Sequence, residues 1–349
     1  MATTNTGGHS TAASGRPAAI GAYIFAGGFT LGIKQHFNVL CHLEGDKYGV
    51  ATMRRNQPEI PVYYGPENWP LDTFGKSEID LIYGNPPCAA WSMAGRRGDS
   101  WLTDPRVDCT RKHFSLLEEL RPRRAWVWES VARAFTSGRP FVDHLTERAL
   151  ALGYHVTYLL HDARWLGLPQ RRSRFFFIAH RGNPPDVPRL NWAPPRTVGE
   201  TLRELPGNQV PATTAENKYI WLVKEAEEGA QLYHVFDRLR PGERGPGSGR
   251  PGYLARRLLW DAPAFTFAGG AWFHPRKNRQ LSLEEYKALN GFPLDYEFTP
   301  RGDQAKLSEM ARGVTPVVGE WLGRFLINSI GTHEPLMPAV TTIDLRTPQ

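Results

Sequence analysis

A short, largely apolar run, Ile79-Asp80-Leu81-Ile82-Tyr83, stops at Gly84-Asn85-Pro86-Pro87-Cys88. Two adjacent prolines offer no amide donors and permit neither a helix nor a continued ladder. The run is therefore expected to be a buried strand that leaves a cysteine at the carboxyl edge of a sheet. Open α/β sheets place their chemistry at that edge. A thiol there, with Arg96 and Arg97 close behind it in the chain, is a candidate nucleophile, because the thiolate is the reactive form and neighbouring cations favour it. An inert buried cysteine is the other reading these five residues leave open.

The same pattern recurs along the chain. Ala22-Tyr23-Ile24-Phe25 reads as a strand, followed by Ala26-Gly27-Gly28 and an apolar-periodic segment from Leu31 to Phe37. Strand, glycine turn and helix open a nucleotide-binding α/β unit. Val39 to Leu43 reads as a second strand ending at Glu44, where a carboxylate can accept hydrogen bonds from the ribose hydroxyls of an adenosine cofactor; a surface glutamate is the alternative. A helix is expected over Lys47 to Arg55 and another over Lys112 to Leu120. The strand Ala125 to Trp128 leads to Glu129, a second carboxylate at a strand end. His155 to Leu160 and Arg174 to Ala179 read as paired strands, with Leu168 to Arg174 between and within them.

The fold expected is α/β, a Rossmann-like sheet. The divisions expected are a flexible tail over 1–19, a catalytic domain over 20–181 and 259–330, a small loop-rich module over 182–258, and a C-terminal tail over 331–349. The module is rich in Pro, Gly and charge, with one helical run from Ile220 to Ala230. Regular patterning resumes at Pro263 to Phe267, with helices over Ser282 to Leu289 and Val317 to Ile327.

At 349 residues the chain can bury a large core. No apolar run approaches the roughly 18 residues of a membrane helix, so no membrane association is expected. Cys41, Cys88 and Cys109 form neither a metal-ligand spacing nor a disulfide framework, which points to a reducing, cytoplasmic compartment without a metal. The net charge of +7 suits a polyanionic partner, since each neutralised phosphate releases counterions. Arg238, Arg240, Arg244, Arg250, Arg256 and Arg257 lie in a Gly/Pro-rich segment with only Asp237 and Glu243 against them, and read as phosphate contacts.

Taken in order, these pieces resemble the DNA cytosine-5 methyltransferase family. Phe25-Ala26-Gly27-Gly28-Phe29 is similar to its cofactor loop, Glu44-Gly45-Asp46-Lys47-Tyr48 to its ribose-binding strand end, and Pro86-Pro87-Cys88 to its catalytic loop. Glu129-Ser130-Val131 resembles its Glu-Asn-Val element, and Gln170-Arg171-Arg172-Ser173-Arg174 its Gln-x-Arg-x-Arg element. Asn290-Gly291-Phe292-Pro293 and Gly313-Val314-Thr315-Pro316 resemble its closing segments. The likeness spans residues 20 to 328 apart from the middle module.

The resemblance implies transfer of a methyl group from S-adenosylmethionine to cytosine C5 in double-stranded DNA. Cys88 would add to C6, Glu129 would protonate N3, and Arg172 and Arg174 would hold base and glutamate in register. Phe25, Ala26, Gly27, Gly28, Glu44, Asn85 and Pro86 would hold the cofactor. The target base must be flipped from the duplex, with the loop from Ala89 to Arg106 closing behind it and Arg96, Arg97, Arg106 and Gln170 contacting nucleic acid. A monomer acting in a bacterial or phage-infected cell, in DNA modification of the restriction-modification kind, completes the expectation.

The chain departs from the family pattern in places. The cofactor loop, usually Phe-x-Gly-x-Gly-Gly, reads as shortened by two residues; Gly45 follows Glu44 where a bulky group is usual; Ser130 replaces Asn, Ala89 replaces Gln, and Arg312 stands where Asn is expected. These departures keep three further readings open: a modified cofactor, an RNA substrate, and a nucleic-acid-binding protein without transfer activity. The small module predicts a short recognition site.

Overall fold

The computed structural model describes residues 15–91, 104–182, 194–206, 217–245, 249–329 and 339–347. Strand β1 (Ala18–Ala22), helix α1 (Gly28–Ile33), β2 (Asn38–Glu44), α2 (Lys47–Asn56), β3 (Val62–Tyr64) and β4 (Leu81–Gly84) form the first half of the sheet. Helix α3 (Asp108–Leu120), β5 (Ala125–Val131), α4 (Arg133–Thr136), α5 (Arg139–Ala151), β6 (His155–Asp162) and β7 (Ser173–His180) complete most of the second. Helices α6 (Val198–Glu204), α7 (Ile220–Lys224) and α8 (Leu232–Arg238) come next, and β8 (Arg256–Arg257) pairs in a two-stranded ladder with β9 (Trp272–Phe273), which lies beyond the expected end of the middle module at 258. Helices α9 (Leu283–Leu289), α10 (Asp303–Arg312) and α11 (Pro316–Ser329) and strand β10 (Val340–Leu345) follow.

The eight-stranded sheet has the order β10-β6-β7-β5-β4-β1-β2-β3. Strands β3, β2, β1, β4 and β5 run parallel, so Glu44, the residues after Ala22, the residues after Gly84, and Glu129 gather at one edge. Strand β7 is antiparallel to both its neighbours. Its beginning, not its end, reaches that edge, with Arg174 opposite Val131.

Strand alternation then sorts the side chains. On β5, Trp126 and Trp128 pack into one core with Phe175 and Phe177 of β7 and Phe114 of α3. Val127 faces the other core with Tyr83, Phe176 and Phe29. Glu129 continues the Val127 side and Arg174 the Phe176 side, so the two emerge on one face. Asn85, one residue beyond the pairing of Gly84 with Trp128, falls beside Glu129 by the same count. A third core joins α9, α10 and Phe267 to Trp272; a fourth, small one in the module holds Leu222, Leu232, Phe236 and Phe273.

The α/β expectation holds, and four local readings are corrected. The first strand lies at Ala18–Ala22, not Ala22 to Phe25: Tyr23 and Phe25 have φ of 55° and 50°, left-handed values that end a ladder. Of the run Ile220 to Ala230 only α7 is helical; the chain turns at Gly229, φ 83°, and α8 starts beyond the run at Leu232. Pro263 to Phe267 forms a single bridge, Ala264 to Gln170, not a strand. Part of the supposed C-terminal tail is β10, paired in parallel with β6. Among the described residues no helix is long and apolar enough to cross a membrane, and no three His, Cys, Asp or Glu side chains could hold a metal ion together.

Candidate active site at the sheet edge

Glu129 is buried, and its carboxylate has two partners. The Asn85 amide donates to Oε2 at 2.8 Å and Arg174 Nε lies 3.1 Å from Oε1. Burial pushes the carboxyl above its ordinary range; Arg174, Arg172 and the Asn85 bond pull it back without offsetting that. A buried carboxyl with raised proton affinity is suited to donate a proton at neutral pH. Cys88 is partly buried and packs against the tryptophan-rich core. Its thiol is also raised by burial, lowered by Arg174 and Arg172, and raised by Glu129, which places all four groups in one electrostatic neighbourhood.

Arg172 does a different job from the one the sequence suggests. Its guanidinium donates to the carbonyls of Phe267 at 3.2 Å, Ala311 at 3.1 Å and Gly313 at 2.7 Å, and burial lowers its pKa to about 9. It braces the segments at Phe267 and at Ala311 to Gly313 against the start of β7, and its charge reaches Cys88 and Glu129. Gln170 is likewise fully buried, bonding the Asn290 side chain at 2.9 Å and the Phe267 amide at 3.0 Å, so it is a brace and not an exposed nucleic-acid contact. Asn85, read as a cofactor contact, has its amide committed to Glu129; the sequence signal for that role was its position one residue past a strand end.

The cofactor loop also differs from its sequence reading. From the end of β1 to the first residue of α1 run the six residues Tyr23-Ile24-Phe25-Ala26-Gly27-Gly28, which is the full length of an aromatic-x-Gly-x-Gly-Gly loop beginning at Tyr23. It is not shortened. Phe25 stands at the first glycine position of that pattern and has a φ of 50°, in the region that favours glycine. Gly27 keeps the glycine conformation at φ 78° as the cap of α1. The Ala26 carbonyl accepts from the Tyr296 hydroxyl, and Pro86 is buried at the end of β4.

Glu44 lies beneath this loop. Its Oε2 accepts from Phe25 N at 2.8 Å, and its Oε1 from Gly45 N at 2.7 Å and Asp46 N at 2.9 Å. Burial outweighs these bonds and pushes its carboxyl up to about 7. Arg312 stands over the Phe25 ring at 4.9 Å and pairs with Asp46 at 2.9 Å.

Of the arginines read as nucleic-acid contacts, Arg96 and Arg97 lie outside the described residues. Arg106 pairs with Asp104, and Arg250 with Asp237. Arg257 is turned inward onto the carbonyls of Pro275, Val223 and Ala226, a correction to its reading as a phosphate contact. Arg238, Arg240 and Arg244 are exposed, Arg244 over the Phe236 ring. Arg256 lies over Phe265.

Comparison with known proteins bears on this edge directly. Residues 23–328 match the family model described as C-5 cytosine-specific DNA methylase. The chain is 29% identical over 328 residues to the type II methyltransferase M1.HphI of Haemophilus parahaemolyticus, covering 88% of this chain and 86% of that protein. It is 25% identical to the type II methyltransferase M.Sau96I of Staphylococcus aureus, covering 87% and 74%. The fold is similar to the solved structure of the Entamoeba histolytica methyltransferase EhMeth, with a TM-score of 0.63 at 13% identity, covering 90% of this chain and 99% of that one. The matched segment holds every group gathered at the sheet edge, and the chain belongs to the C-5 cytosine-specific DNA methylase family as a DNA cytosine-5 methyltransferase.

Proposed function

We propose that Cys88 is the nucleophile, Glu129 the proton donor and Arg174 the residue that orients Glu129, acting on a cytosine flipped out of double-stranded DNA. The observation that carries this is the Asn85–Glu129–Arg174 cluster, which leaves a raised carboxyl at the same edge as a thiol. The Cys88 thiolate adds to C6, and the electron pair of the C5–C6 bond moves into the ring as Glu129 gives its proton to N3. C5 then takes up the methyl group as the C–S bond of the donor breaks and leaves a neutral thioether, and N3 returns its proton to Glu129; a base removes the C5 proton, and its electron pair re-forms the C5–C6 double bond as the C6–S bond breaks, returning the thiolate. Because burial raises the thiol in the free protein, Arg174 and Arg172 supply the positive field that favours its ionised form.

S-adenosylmethionine, when bound, supplies an electrophilic methyl on sulfur. The residues fit its ribose: a carboxylate has about four acceptor positions, and Glu44 uses three on backbone amides. Glu44 and the backbone of Tyr23 to Gly28 would hold it. Arg312, a cation beside Phe25 where the family carries Asn, favours a second reading in which the cofactor bears a modified transferable group. Calorimetry with S-adenosylmethionine and with analogues altered at that group separates the two. The names of the relatives support a role in DNA modification beside a restriction activity, and the small middle segment supports a short recognition site.

The test is covalent trapping on a duplex containing 5-fluorocytosine, in which the fluorine at C5 blocks release. The wild type is expected to form an adduct and Cys88→Ser none. An adduct of equal yield with Cys88→Ser would refute the assignment, and no adduct with wild type would favour a binding protein without transfer activity. Preferential labelling of tRNA over duplex DNA would move the substrate to RNA.

A further inference from the structure

A cavity of about 670 Å³ opens in the middle module beside α8. Its lining includes Glu227, Gln231, His234, Arg238, Arg256 and Phe265. Arg256 lies over Phe265, with the guanidinium carbon 3.7 Å from the ring centroid. Its backbone is fixed in β8 by a bond to the Ala271 carbonyl at 3.0 Å. Among the described residues it takes part in no ion pair, whereas Arg250 is held by Asp237 and Arg257 by three carbonyls. A guanidinium held against a ring loses freedom yet keeps N–H donors for paired acceptors.

The platform under Arg256 is tied to the catalytic strand. Residues on either side of Phe265 bond the run that leads into β7: Ala264 N to Pro169 O at 2.8 Å, Arg171 N to Ala264 O at 2.8 Å, and the Thr266 hydroxyl to Arg171 O at 2.6 Å. Arg174, which orients Glu129, follows three residues later. The chemistry of the cavity argues against a phosphate, because carboxylates line it as well: Glu227, Glu228 and Asp237. The edge of a G·C pair offers both what Arg256 needs and what a carboxylate needs. Guanine presents O6 and N7 as adjacent acceptors, and its partner cytosine presents an amino donor.

We infer that Arg256, held against Phe265, reads a guanine next to the target cytosine through bonds to O6 and N7, with Glu227 accepting from the amino group of the paired cytosine. This rests on the DNA methylation proposed above, and it changes Arg256 from a sequence-blind phosphate contact into a specificity-determining residue.

The test uses the full-length protein on a pool of duplexes randomised around one cytosine, with bisulfite sequencing of the products. Wild type is expected to fix guanine at one nearby position. Replacing that guanine with 7-deazaguanine, which removes the N7 acceptor and leaves the protein untouched, should slow methylation about tenfold, and Arg256→Gln should relax the preference by about ten- to a hundredfold. Arg256→Lys, which keeps the charge and loses the planar fork, should relax it too. A uniform loss of rate on all sequences, full discrimination in Arg256→Lys, or indifference to 7-deazaguanine would each overturn the inference. Absence of both methylation and 5-fluorocytosine trapping in wild type would instead bring down the catalytic reading, and this one with it.

Discussion

Glu309 on α10 provides a test of how burial sets protonation in this protein. It is fully buried, and neither carboxyl oxygen has a well-formed hydrogen bond. Burial drives its pKa from 4.5 to about 7; Thr52 and Arg312 pull it down and Asp46 pushes it up, each by less than burial does. A carboxyl whose folded pKa lies above its unfolded value favours the folded state fully below the unfolded pKa. That advantage is lost as pH rises from 4.5 toward 7, because the unfolded chain releases the proton first. Each pH unit between the two pKa values is worth about 1.4 kcal/mol, so this carboxyl alone costs the wild type about 3 kcal/mol by pH 8. Glu309→Gln removes the titration. Its stability relative to wild type should be near zero at pH 4.5, apart from a small constant offset for the buried amide, and should rise to about 3 kcal/mol at pH 8. With an unfolding entropy of about 2.1 cal/mol/K per residue over 349 residues, that is a Tm about 4 °C above wild type at pH 8. Calorimetric scans at half-unit pH steps measure it. Glu44 titrates with the same sign but is present in both proteins, so it cancels in the difference. A difference in Tm that stays constant from pH 4.5 to 8 would refute the reasoning.

Two further substitutions probe the braces and the loop. Arg172→Met leaves the carbonyls of Phe267, Ala311 and Gly313 without their donor; a loss of about 3 to 5 kcal/mol is expected, read as a lower Tm, and a change below 1 kcal/mol would mean that water replaces the guanidinium at no cost. Phe25→Gly relieves a left-handed residue, worth about 1 to 2 kcal/mol, yet deletes a buried ring, worth about 3 to 5 kcal/mol. The variant should be less stable than wild type while binding S-adenosylmethionine more tightly by calorimetry, and unchanged affinity would show that the ring stands clear of the cofactor.

Strand ends were legible because the sequence marks them: two prolines before Cys88, and apolar runs that stop at Glu44 and Glu129. Those three positions carry most of the site. The register of the first loop was not legible, because Ala18 to Phe25 is one unbroken small and apolar run and nothing in it announces that Tyr23 and Phe25 adopt the left-handed conformation. The destinations of Gln170, Arg172 and Arg257 were hidden for another reason. Their partners are mostly backbone carbonyls, and those of Gln170 and Arg172 lie about 95 to 141 residues away in the chain, and a carbonyl carries no residue type for a pattern to find. Strand β10 was hidden because it is an edge strand that buries little of its surface and the residues before it read as a tail.

Within Gln170 to Arg174, five consecutive residues divide their labour: one meets the proton donor, while two clamp onto segments from the far end of the chain. A protein that must let a foreign helix press on its smaller module needs that pressure to arrive at the reacting groups as a fixed displacement and not as slack. The bonds that join this run to Ala264, Thr266 and Phe267 are what such a coupling would use, so an exchange of the module for a relative's is expected to keep alignment only if the graft carries residues 263–267 along with it.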